Sequence, residues 1–71
     1  MRKHAGAYTV TYEPVIGEGP EPVWAVHRDG FIVLTFASKA LAIGTARHLA
    51  LADGCAAWLI TDHGMAVLLA P

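Results

Sequence analysis

Four histidines, one cysteine and six carboxylates are the residues of this chain that could do chemistry. His48, Cys55 and His63 carry the ligand atoms that Zn²⁺ accepts. A zinc site, however, needs three or four converging ligands, usually in close-spaced pairs, and none of these residues is so spaced. A nucleophilic reading would join Cys55 to Asp62 and His63. A reactive thiol needs a helix N-terminus or a neighbouring cation to stabilise the thiolate. Cys55 instead follows the end of the apolar segment Lys39–Asp53, where a helix would present its negative pole, and it leads into an apolar run. It reads as a small buried hydrophobe, with His48 on a helix surface and His63 in a turn.

Glu13, Glu18 and Glu21 fall in a Pro- and Gly-rich stretch, which cannot hold carboxylates rigidly enough for acid–base work. Gly17-Glu18-Gly19-Pro20 is not a phosphate loop, because no helix follows it and the glutamate repels phosphate. We therefore assign no catalytic residue, no metal ligand and no cofactor, and expect a chain that is not an enzyme.

The elements that position these residues can be read from periodicity. Ala7 to Tyr12 alternates, with Tyr8, Val10 and Tyr12 on one side and Thr9 and Thr11 on the other, which predicts a strand. Glu13 to Pro22 is an acidic loop, and Val23 to His27 is a second strand. Arg28-Asp29-Gly30 is a hairpin turn into a third strand, Phe31 to Phe36, which is apolar on both faces. Ser38 caps a helix over Lys39–Asp53, without a capping box because Leu41 stands where Glu or Gln would be, and Gly54 stops it. Cys55 to Thr61 and Met65 to Ala70 are two more strands, joined by a turn at Asp62-His63-Gly64.

The expectation is a single α+β domain over residues 1–71, a five-stranded, antiparallel-rich sheet in the order β-β-β-α-β-β with one helix on one face. Ile43, Ala46, Leu49 and Ala50, with Ala42 beside them, form the predicted core stripe over Trp24 and Val26.

Composition bounds the function. The chain is 55% hydrophobic and 15% charged, against about 45–50% and 25% in ordinary domains. A domain of 71 residues has too little interior to hide so much apolar surface, so some of it should meet another molecule. Ala40, Leu41, Gly44, Leu51 and Ala52 are apolar or bare where a small helix would carry Lys or Glu, and Leu41, Gly44, His48 and Leu51 share one line along the helix. We take Leu41, Gly44, His48 and Leu51 as candidate protein-binding residues, with Glu13, Glu18 and Glu21 as an acidic guide. A homodimer is expected, through the open sheet face or the Leu41/Leu51 side of the helix.

A net charge of −1 gives no steering toward nucleic acid or an anionic membrane. Tyr8, Tyr12, Trp24 or Phe31 on an open sheet could stack bases, but Arg2, Lys3, Arg28, Lys39 and Arg47 are scattered and form no basic stripe. Nucleic-acid binding, or a dimerising housekeeping role, is the alternative reading. The basic start Met1-Arg2-Lys3-His4 leads into no apolar run, and the stretches Gly54–Thr61 and Gly64–Pro71 fall well short of the roughly 20 residues of a membrane span. With a lone cysteine, a cytosolic location without membrane attachment is expected.

Trp24-Ala25-Val26 with Arg28, then Phe36, Ser38-Lys39, Ala42-Ile43, Ala46-Arg47, Leu49-Ala50 and Gly54, resemble a widespread small bacterial domain family of unknown function. That family carries a Trp-Ala-Val strand and a helix written Ala-Ile-x-x-Ala-Arg-x-Leu-Ala. The resemblance runs from Trp24 to about Gly64 and implies the strand–hairpin–helix–strand order. It implies no catalytic residue. In size and lack of active-site chemistry the chain is similar, at the level of class, to phage-encoded anti-CRISPR inhibitors. That similarity implies a stoichiometric inhibitor that occludes a surface of a bacterial defence complex.

Overall fold

The structure, a computed structural model, describes residues 6–13, 23–61 and 63–70. Glu18, Glu21 and Asp62 lie outside the described residues. The elements follow the predicted order: β1 (Tyr8–Glu13), β2 (Val23–Arg28), β3 (Phe31–Phe36), α1 (Lys39–Asp53), β4 (Ala57–Ile60) and β5 (Ala66–Ala70). The strands lie β3-β2-β1-β4-β5 across one mixed sheet. All neighbours are antiparallel except β1 and β4, which run parallel. A parallel pair cannot be closed by a tight turn, and α1 supplies the long crossover that brings the chain back.

Local chemistry sets the element ends. Asp29 and Gly30 both take positive φ, 54° and 84°, as a two-residue hairpin turn requires. The Ser38 hydroxyl accepts from the Leu41 N–H at 3.3 Å and starts α1. Gly54 stops it at φ 70° in the left-handed region, its N–H donating to the Ala50 carbonyl. The Cys55 N–H donates to the same carbonyl at 3.0 Å. That bond holds Cys55 in the helix cap, so β4 begins at Ala57 rather than at Cys55 as the apolar run suggested.

The core lies between α1 and one face of the sheet. Tyr8, Val10, Val26, Ala57 and Ala70 meet Ala42, Ala46 and Ala50 there. Among the described residues Val10 and Val26 are the largest fully buried side chains, and they are cross-strand partners. The expectation for Ile43 is corrected. It is half-buried and stands outside the core cluster, while Leu49 packs against that cluster. The alanine row at 42, 46 and 50 seats the helix close to the strands, which leaves room beneath for methyl groups only. Ile43 and Leu49 flank Ala46 on opposite sides.

Candidate binding surface

Facing away from the sheet, α1 presents Leu41 and Leu51, 61% and 69% exposed, with Gly44 and His48 exposed between them. Their spacing of three, four and three is the spacing of a helix–helix seam, and it lies opposite the buried alanine row. Ala40, Arg47 and Ala52 border it, all exposed. A Cβ built on Gly44 would meet nothing within 4 Å. Among the described residues nothing therefore requires a glycine there, although a mid-helix glycine costs roughly 0.5–1 kcal/mol against alanine.

Glu13 does not join this surface. By strand alternation it lies with Thr9 and Thr11 on the face of the sheet that α1 leaves free. There the Thr11 hydroxyl donates to the Glu13 carboxylate at 2.8 Å, and His27 Nε2 lies 2.8 Å from the same hydroxyl oxygen. With the hydroxyl proton turned toward Glu13, Nε2 must be the donor to Thr11. The imidazole then has no lone pair for the hydroxyl, so this Thr–His–Glu group is wired as a cross-strand clasp and not as an activated nucleophile.

A second polar group closes the other face at the helix end. Arg28 Nη1 donates to Asp53 at 2.5 Å and to the Tyr8 hydroxyl at 2.9 Å, and Tyr8 donates to Asp53. The guanidinium carbon also stands 4.9 Å from the Tyr8 ring centroid. The bond from Tyr8, then the charge of Arg28, holds the Asp53 carboxyl below its usual range, against an opposing cost of desolvation. Donation to Asp53 raises the Tyr8 hydroxyl, with Arg28 pulling the other way. Sequence reading missed this trio. Its one signal was Asp53 in the last turn of α1, where the negative pole of the helix disfavours a carboxylate that lacks a cation.

Of the residues with metal-ligand or nucleophile chemistry, the described ones, His48, Cys55 and His63, lie in different parts of the fold. Cys55 packs against the core, and His48 and His63 are exposed on different elements. Among the described residues, no three His, Cys, Asp or Glu side chains are grouped so as to hold a metal ion. A shallow cleft of about 180 Å³ lies at the carboxyl ends of the parallel strands, lined by Trp24, Lys39, Leu59, Ile60, Thr61 and His63. The Lys39 ammonium sits 5.4 Å from the Trp24 ring centroid, and Tyr12 packs on the same ring at 4.9 Å. No helix among the described residues is long and apolar enough to cross a membrane.

Tyr8, Tyr12, Trp24 and Phe31 share the helix-bearing face through the pairs Tyr8↔Arg28, Tyr12↔Trp24 and Arg28↔Phe31. Trp58 is the aromatic on the free face, opposite Thr9. No protein-family model, curated protein or solved structure matches this chain.

Proposed function

We propose that this chain acts without turnover, as a protein-binding module that covers a working surface of a larger bacterial protein or ribonucleoprotein complex in the cytosol. The observation that supports this reading is the outer face of α1, where Gly44 leaves an open notch between exposed Leu41 and Leu51. A bare backbone position with no internal purpose suits a partner side chain that must approach closely, and the two leucines become apolar anchors once water is excluded. Glu18 and Glu21 are proposed as an acidic guide that affects encounter rate more than affinity, with Glu13 set apart on the free face of the sheet. In size the chain is similar, at the level of class, to phage-encoded anti-CRISPR inhibitors, and a CRISPR–Cas component is the proposed class of target.

The test is a plaque assay on bacteria immunised by a CRISPR–Cas system and expressing this protein. Wild type should restore phage plating, and Leu51→Glu should abolish the effect while its circular dichroism and melting point stay unchanged. Cys55→Ser and His63→Ala should remain active. Loss of activity in a folded Cys55→Ser variant would point to an enzyme instead.

A further inference from the structure

The edge of the sheet offers chemistry that the helix surface does not use. An outermost strand turns one row of backbone N–H and C=O groups away from the sheet, and another extended chain satisfies such a row best. Among the described strands β3 and β5 are outermost, and β3 is the longer, its six residues Phe-Ile-Val-Leu-Thr-Phe carrying no charge, proline or glycine. Phe31, Ile32, Val33 and Leu34 are 73%, 45%, 46% and 43% exposed. Natural edges are usually blunted by lysine, proline, inward-pointing charge or a β-bulge, and of these β3 has only the last, a register shift opposite Val26/His27.

We propose that β3 pairs antiparallel with β3 of a second copy of this chain, about a two-fold axis normal to the sheet, so that two sheets become one. The register shift is what fits the strand to itself. In a regular strand, residues five apart point to opposite faces. Here Phe31 lies opposite Arg28 and Phe36 opposite Trp24, so both phenylalanines share the helix-bearing face. Ile32 and Thr35, opposite His27 and Ala25, share the free face. An axis between Val33 and Leu34 then sets Phe31 against the second copy's Phe36, and Ile32 against its Thr35, each pair on one face. Without the shift, this register would oppose side chains from different faces.

Charge agrees with this arrangement. No like charges meet along the strand, and the turn bearing Asp29 in one copy arrives at the end where Lys39 opens α1 in the other. The exposed apolar side chains of β3 amount to on the order of a few hundred Å², below the ~800 Å² per partner of a standard interface. The contact is therefore a reversible dimer. Its two-fold axis carries both helices on the same side, so the dimer displays two copies of the Leu41–Leu51 surface together.

Sedimentation velocity across a wide concentration range, with hydrogen exchange at each end of it, tests the pairing. Wild type should show a monomer–dimer equilibrium, and protection at Phe31–Phe36 should grow with concentration while Ala66–Ala70 stays constant. Ile32→Lys, at an exposed site, should raise the dimer dissociation constant at least tenfold with its monomer melting point unchanged, and Leu51→Glu should leave that constant alone. A strict monomer at several hundred micromolar would overturn the proposal. So would a dimer broken by Leu51→Glu but not by Ile32→Lys, or open-ended polymers that protect β3 and β5 equally.

Discussion

Arg28 and Asp53 lie 25 residues apart in the chain, yet the guanidinium of one donates to the carboxylate of the other at 2.5 Å. The contact ties the end of β2 to the last turn of α1, with the Tyr8 hydroxyl bonded to both partners. It places a cation beside a carboxylate that the helix pole would otherwise disfavour.

Stability should therefore fall at both ends of the pH scale for identifiable reasons. The folded Asp53 carboxyl titrates below its ordinary value of 3.8. Its contribution is fully present above that value and is lost as pH drops through the lower, folded one. Tyr8 is raised above 10.0. Its contribution holds below that value and disappears as pH climbs through the raised one. Melting curves should show Asp53→Asn converging with wild type at the acid end, and Tyr8→Phe converging at the alkaline end. Parallel curves at all pH values would refute the assignment.

Ser38→Ala should cost about 1 kcal/mol, because the hydroxyl that accepts from the Leu41 N–H has no replacement. Urea titration measures this directly, and Ser38→Asp should retain most of the stability.

Core substitutions should rank by burial rather than by side-chain size. Val26→Ala empties a fully buried site and should cost about 2 kcal/mol or more. Ile43→Ala, at a half-buried flank outside the core cluster, should cost about 1 kcal/mol. Ala46→Leu should be destabilising by about 1–3 kcal/mol, because it forces a larger group into a space fitted to a methyl. Equal losses for Ile43→Ala and Val26→Ala would contradict the observed seating of the helix.

Gly44→Ala should raise stability by roughly 0.5–1 kcal/mol, since the added methyl meets nothing and helix propensity improves. Gly44→Leu should remain folded but lose partner binding by filling the notch. Destabilisation by Gly44→Ala in thermal melts would mean that the glycine serves the fold instead.

Much of this architecture is legible in residue patterns. Alternation in Tyr8–Tyr12, the Asp29-Gly30 turn, and Ser38 and Gly54 at the helix ends all act over a few residues, so they fix elements locally. The rotation of α1 was harder to read. Ile43 and Ala42 are neighbours, and only the close approach of an alanine row to the sheet decides which one faces inward. Leu41, Gly44, His48 and Leu51 could be placed on one outer line by helical period alone. The Thr11–His27–Glu13 clasp and the Tyr8–Arg28–Asp53 trio could not be read in this way. They depend on the β1–β2 register and on where α1 ends over the sheet, which are long-range quantities that neither period nor spacing encodes.

The parallel joint between β1 and β4 rests on three cross-strand pairs, Tyr8↔Ala57, Thr9↔Trp58 and Val10↔Leu59. On one side of it lies a meander of three strands built from sequence neighbours, and on the other a short hairpin delivered by the helix. The joint is the last part of the sheet whose two sides can meet during folding, because its closure awaits the whole crossover. It is also the line along which the native molecule should part first. Under native conditions, amides of β4 and β5 should exchange as one cooperative group, separate from those of β1 and β2. A chain of this size would then behave in time as two unequal parts, β4 and β5 parting from a body in which Arg28 and Asp53 keep α1 on β1 and β2. The hinge is at the Gly54 helix stop.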